Sequence, residues 1–205
     1  MNIDSLFIEF VHALCVNFGV VLTPFFRFIT FIGEKSWLFL LICLVLCLNK
    51  KTRWIGATAI LAIFMGWLLA DYGVKPLIDR PRPYTIDTLY ISYWELAGAI
   101  PETNSSMPSG HTLGVAAFFV SLFITSKKSW RKNIMTIGII MTTLMILSRT
   151  YLMHHYLTDC LVGVLLALVT SFIAKPIVKF IHSICKKYEN IGIFKFILNF
   201  DVLGN

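Results

Sequence analysis

Three short stretches of the chain gather residues able to act on a strongly charged group. Lys75, Arg80 and Arg82 lie within Lys75-Pro-Leu-Ile-Asp-Arg-Pro-Arg82-Pro83. Pro108-Ser109-Gly110-His111 is the second stretch, and Ser148-Arg149 followed by His155 and Asp159 is the third. Guanidinium forks and an ammonium donate to oxyanions. A Ser-Gly-His run after proline opens a helix, whose free N–H groups and positive dipole end suit phosphate oxygens. His155 and Asp159 stand four apart, on one helix face, where a carboxylate can hold an imidazole tautomer and stabilise the charge it develops on attack. Taken singly, each has a plain reading: an N-capping serine with a turn glycine, a structural His–Asp pair, or a cation snorkelling to headgroups. Together they describe a site for something strongly anionic.

The elements that carry these residues belong to a membrane. The 205 residues are 57% hydrophobic and only 14% charged, with a mean hydropathy of +0.77. Soluble domains run at about 45–50% apolar and about 25% charged. At roughly 20 apolar residues per crossing, the length suits five or six crossings and leaves no separate soluble domain. Apolar segments at 37–48, 55–70, 112–125, 134–147 and 157–174 predict five spanning helices. With five crossings, Lys50, Lys51 and Arg53, then Lys127, Lys128, Arg131 and Lys132, then Lys175, Lys179, Lys186, Lys187 and Lys195 all fall on one side. That side is expected to be cytoplasmic, which puts the three polar stretches together on the other. Lys75, Arg80, Arg82 and Arg149 are then not inside-positive anchors, and charges at a membrane boundary are functional candidates.

The expectation is an all-α, multi-span transmembrane helical bundle forming one membrane domain. Residues 1–34 are an interfacial segment, 35–182 the catalytic bundle and 183–205 a cytoplasmic amphipathic tail. In the first segment Ile3, Leu6, Phe7, Phe10 and Leu14 share one helical face and Ser5, Glu9 and His12 the other, the pattern of a helix lying in the interface and broken at Pro24. If it spans instead, there are six crossings. The start MNIDSLF carries an acid where a signal peptide needs positive charge, and is read as mature sequence. The five cysteines have neither metal-type nor paired spacing and read as small hydrophobes. A net charge of +7 does not indicate nucleic acid, because the basic residues form no arm or aromatic-interleaved helix face.

Taken in order and at fixed spacing, Lys-x6-Arg-Pro (Lys75, Arg82, Pro83), Pro-Ser-Gly-His (108–111) and Ser-Arg-x5-His-x3-Asp (Ser148, Arg149, His155, Asp159) resemble the three signature motifs of the type-2 phosphatidic acid phosphatase family. The likeness is strongest from Asp71 to about Ile181. Arg80 also precedes a proline, but the family spacing selects Arg82 and leaves Arg80 as a helper or a headgroup contact, free to touch the inner phosphate of a diphosphate. Met107 stands where an aromatic is common, and His154, outside the motif, reads as packing or surface. The resemblance implies removal of a lipid phosphate through a phosphohistidine, with no metal and no cofactor. His155, oriented by Asp159, would be the nucleophile and His111 the acid and then the base. Lys75, Arg82, Arg149 and the Ser109 and Gly110 amides would hold the oxyanions. The implied partners are a phosphorylated lipid and the surrounding membrane lipids; oligomeric state is left open.

Compact bacterial members of this kind hydrolyse undecaprenyl diphosphate to the monophosphate on the outer side of the plasma (inner) membrane, which is the expected activity. Phosphatidylglycerophosphate or phosphatidic acid is the alternative substrate. A vanadate-dependent haloperoxidase shares such a pocket, but membrane embedding argues against it. A non-catalytic anion-binding or transport protein would have no need of a histidine–carboxylate pair beside a second histidine.

Overall fold

The computed structural model describes residues 2–203, and every regular element among them is helical. Helix α1 (Ile3–Gly33) starts at Asn2, whose side chain accepts the Ser5 N–H at 2.8 Å. It runs unbroken through Pro24, where the sequence predicts a break. Proline removes one backbone bond, and helices in a membrane tolerate that loss where neighbouring elements support them. Asp4, Ile8, Val11, Cys15, Phe26 and Ile29 face the protein, while Leu6, Phe10, Val20 and Phe28 face outward.

After a kink in which Lys35 and Ser36 have positive φ comes α2 (Trp37–Cys47), and a basic turn leads to α3 (Arg53–Leu68). A wider π turn, Leu69–Val74, and the short α4 (Lys75–Ile78) extend α3. A connector carrying α5 (Thr88–Leu96) leads to α6 (Gly110–Thr125), α7 (Lys128–Tyr151), α8 (Leu157–Lys187) and α9 (Gly192–Asn199). Segments Ile3–Cys47, Arg53–Thr85, Lys128–Tyr151 and Leu157–Lys187 are long and apolar enough to cross a membrane, and Gly110–Thr125 is a shorter apolar helix.

The contacts of α1 fix its course within the apolar segment Ile3–Cys47. Its first turn meets the start of α8, Asp4 accepting the Thr158 N–H at 2.9 Å. Farther along, Thr23 and Phe26 bond to Tyr151 and Ser148 at the end of α7. Helix α1 therefore lies across the end of the bundle that holds the three polar stretches, called the site end below. Its last turns sink beside α6, Gly33 abutting Met145 and lying next to His111. Past the kink α2 continues downward, with Phe39 against Phe118 at 5.0 Å between centroids and its last turn against Gly56. The kink fits because of Gly114: a Cβ there would stand 1.8 Å from Ser36 Oγ.

Helices α3, α6 and α8 form the centre. Ala59, Ala62, Ala116, Ala117, Ala167 and Ala174 are buried between them, the small-residue contact by which membrane helices approach closely. A Cβ on Gly163 of α8 would lie 2.7 Å from the Ser109 carbonyl oxygen, so this glycine fixes how near α8 comes to the start of α6. At the far end Lys51, Lys127, Arg131, Lys175 and Lys179 line a cavity of about 1070 Å³ with Trp54 and Trp130, bringing the basic clusters to one end as expected. The tail folds onto the basic turn: Arg53 donates to the Ile197 and Phe200 carbonyls, and the Val202 N–H to Leu48 at 2.9 Å.

Candidate active site

Two helix starts and one helix end meet at the site end. Ser109 caps α6, its Oγ accepting the Thr112 N–H at 3.4 Å. Its own N–H donates to the Asp159 carbonyl at 3.1 Å. Of the two amides expected to hold oxyanions, that of Ser109 is thus occupied within the fold, and that of Gly110 remains. A Cβ on Gly110 would meet nothing within 4 Å, so there is open space beside that amide.

His155 sits in the short loop between α7 and α8, almost fully buried. Its Nδ1 is 2.6 Å from the Ser106 carbonyl oxygen and 3.7 Å from Asp159 Oδ2. The sequence expects Asp159 to orient this ring directly; the structure gives that contact to a backbone carbonyl and puts the carboxylate behind it. Asp159 Oδ2 accepts from the Ser106 hydroxyl and from the Tyr156 N–H at 2.9 Å, the latter also capping α8. With Nδ1 engaged, Nε2 is the nitrogen left for chemistry. Burial pushes the His155 imidazole down to about 4; Asp159 pulls it back, while Arg149 and Arg82 push it lower. That shift favours the neutral ring.

Arg82 is buried and fully engaged. It donates to the Asn104 carbonyl at 2.7 Å, to Asn104 Oδ1 at 2.6 Å and to the His154 carbonyl at 2.8 Å. It also pairs with Glu102 at 2.9 Å. Arg149, without solvent exposure, reaches the other oxygen of the same carboxylate through Nη2. Its Nε and Nη1, and the buried Nε2 of His111, have no hydrogen-bond partner. His154 is buried rather than superficial, with Nε2 at 2.8 Å from the Ile100 carbonyl and Nδ1 at 3.3 Å from Glu102. Burial alone would raise the Glu102 carboxyl, but Arg149, His154 and Arg82 around it hold it far below the usual carboxylate range.

Lys75 lies at the rim. It pairs with Asp71 at 2.7 Å and lines a cavity of about 680 Å³ with Arg80, Arg82, Glu102 and Thr103. Arg80 is not the spare cation the motif register suggests: it is bonded to Asp159 at 2.6 Å, Asp4 at 2.8 Å and Thr158 at 2.7 Å, and stacks 3.8 Å over the Tyr156 ring. Sequence reasoning missed Glu102, Ser106 and Asn104. The one available signal was an acid and polar residues on the connector that joins two basic motifs.

The motif residues His155, Asp159, His111, Arg82 and Arg149 thus converge from three separate stretches of chain, and the family model of the PAP2 superfamily matches residues 51–182. The chain belongs to the PAP2 superfamily. A PAP2 relative from Bacillus subtilis (strain 168), phosphatidylglycerophosphatase B, is 29% identical over 156 residues, 72% of this chain and 70% of its own. The undecaprenyl-diphosphatase of Sulfolobus acidocaldarius is 29% identical over 143 residues, 70% of this chain and 65% of its own, just under two thirds. Among solved structures, the transmembrane PAP2-type phosphatidylglycerolphosphate phosphatase of Bacillus subtilis shares the fold with a TM-score of 0.65 at 24% identity, covering 88% of this chain and 89% of that one. Aquifex aeolicus LpxE does so with a TM-score of 0.66 at 21% identity, covering 85% and 95%. This PAP2 protein is a multi-pass membrane lipid phosphatase, hence a hydrolase.

Proposed function

We propose that this PAP2 protein hydrolyses the terminal phosphate of undecaprenyl diphosphate, releasing undecaprenyl phosphate, through a phosphohistidine on His155. The observation that carries this reading is the set of buried donors without partners, Arg149 Nε and Nη1 and His111 Nε2, in the cluster that holds His155. An unpaired buried polar group costs about 1–3 kcal/mol. Several in one place suit a ligand with several acceptor oxygens. His155 Nε2 attacks phosphorus, the bond to the bridging oxygen breaks, and His111 protonates the leaving oxygen. His111 then takes a proton from water, whose oxygen displaces His155 and forms inorganic phosphate. Arg82, Arg149, the Gly110 amide and Lys75 at the rim stabilise the phosphoryl oxygens, the dominant contribution in phosphoryl transfer. Asp159 acts on His155 through Ser106 and across 3.7 Å.

The site faces the extracytoplasmic side of a bacterial plasma membrane in this reading, because the basic connectors gather at the opposite end. Cysteines introduced at Thr85 or Thr103 should label from outside intact cells, whereas ones at Thr52 or Ser129 should not. The reverse pattern refutes the orientation. For substrate, the test is phosphate release by purified protein from undecaprenyl diphosphate, phosphatidylglycerophosphate and phosphatidic acid. A kcat/KM for phosphatidylglycerophosphate tenfold above that for the diphosphate would favour the second reading, to which the Bacillus relative lends support.

A further inference from the structure

We infer that Glu102 is an internal stand-in for the substrate's phosphate and sets an affinity threshold that a terminal, doubly charged phosphate clears and the singly charged phosphodiester of an ordinary phospholipid does not. This rests on the proposed lipid phosphatase reading and adds a specificity-determining residue to it. One carboxylate bridges two arginines from different motifs: Oε2 lies 2.9 Å from Arg82, and Oε1 takes Arg149. A carboxylate brings only two oxygens to this cradle. Arg149 Nε and Nη1 and His111 Nε2 stay bare, which is the deficit a terminal phosphate with three free oxygens would fill.

Glu102 is also built to leave. Its side chain is 26% exposed, against 3% for Arg82 and none for Arg149, and it lines the open cavity of about 680 Å³. Its backbone is pinned from both sides by Tyr84, whose hydroxyl donates to the Glu102 carbonyl at 2.8 Å and accepts the Glu102 N–H at 2.9 Å. Release therefore requires rotation of one side chain and no unfolding of the connector. Because the competitor is tethered, its effective concentration is high, on the order of millimolar or more. A phosphodiester brings one charge and two free oxygens, no better than the carboxylate it must expel. A terminal phosphate brings up to two charges and a third oxygen for the bare donors. The cost of expelling Glu102 falls on both ligands alike, and only the terminal phosphate has contacts to spare against it.

The test uses the full chain in detergent, with inorganic phosphate and dimethyl phosphate as probes at pH 8, binding read by calorimetry and by competition with a lipid phosphate. Glu102→Gln is expected to tighten both anions by a common factor of at least about tenfold, so that dimethyl phosphate, too weak a ligand to expel the carboxylate, becomes a measurable one. Unchanged or weaker binding of either anion overturns the inference. Glu102→Asp keeps the charge that folding uses and is one methylene too short to bridge both arginines; it is expected to fall between the two, and wild-type Kd values in it also overturn the inference. Phosphate release from lipid substrates is scored separately. Glu102-dependent anion binding without turnover defeats the lipid phosphatase reading alone, and turnover with Glu102-independent binding defeats this inference alone.

Discussion

Arg80 and Arg82 stand two residues apart, each before a proline, and serve different structures. Arg80 ties α4's end to Asp4 of α1 and to Thr158 and Asp159 of α8, so its carboxylate partners both sit on helices and are almost without solvent contact. Arg82 turns to the connector, to Asn104 and to Glu102, a carboxylate that solvent reaches. A cation whose partners are fixed on helices holds the bundle's end together. One whose counter-ion rides on a loop side chain can exchange it for a ligand. Composition and spacing treat the two alike, and only the location of their acids separates them.

The largest expected effect falls on the residue that the exchangeable cluster serves. His155→Ala should reduce phosphate release to background; losing the nucleophile costs about 10⁶-fold in a serine protease. A quench of the wild type should retain acid-labile, base-stable label on the protein. Near-wild-type rates in the variant would sink the phosphohistidine and with it the division of labour between the arginines.

Next comes Arg82→Ala, expected to lower kcat/KM by about 10²–10³-fold, the scale of a lost oxyanion donor, with little change in thermal midpoint relative to Arg80→Ala. Arg80→Ala should show the opposite balance. Breaking its pairs leaves Asp159 buried with one charge partner fewer, a change that costs about 3–5 kcal/mol in a fully buried pair and less here, since Arg80 is a quarter exposed. We expect a clear fall in thermal midpoint, and an activity loss of about tenfold that is equal for diphosphate and monophosphate lipids. A loss confined to the diphosphate would return Arg80 to the inner-phosphate role that the motif register suggests.

Acidification sharpens the comparison in a smaller way. His155 must be neutral to attack, and its folded value of about 4 lies below the ordinary imidazole value. The acid limb of kcat/KM should therefore fall near pH 4 and not near 6.5, rates dropping about tenfold per further unit. Arg149 and Arg82 both push this value down, so Arg82→Ala should move the limb upward, whereas Arg80→Ala should leave it in place. A limb at the ordinary histidine value in the wild type would show that His155 is not the titrating nucleophile.

These contrasts also mark what the sequence could disclose. The motif residues were legible because each carries a side chain of recognisable chemical type at a set distance from the next. So was the multi-span helical bundle, because hydropathy and basic connectors are written at element scale. Ser106 was not legible, since it orients His155 through a backbone carbonyl that any residue possesses. Glu102 resembled any acid on a polar connector until folding placed it between two arginines. Pro24 carried a true local preference for a break, overridden where α1 is held against α7 on both sides of it, by Cys15 packing near Tyr151 and by Phe26 and Thr30 bonding to Ser148.

The smallest expected effect tests whether the exchangeable cluster extends to the rim. Lys75 is the first residue of the family pattern, yet its ammonium pairs with Asp71, 53% exposed, one turn earlier. An ion pair this open is worth on the order of 1 kcal/mol or less, so an arriving phosphate can draw the lysine away with little loss. Lys75→Ala should then raise KM a few-fold and lower kcat less, because the buried arginines still hold the transferring group. Asp71→Asn removes the competitor for Lys75 and should leave KM unchanged or lower it, the same direction expected when Glu102 releases Arg82. Should Asp71→Asn raise KM as much as Lys75→Ala does, the pair would be acting as one fixed structural unit, and Lys75 would belong with Arg80 and not with Arg82.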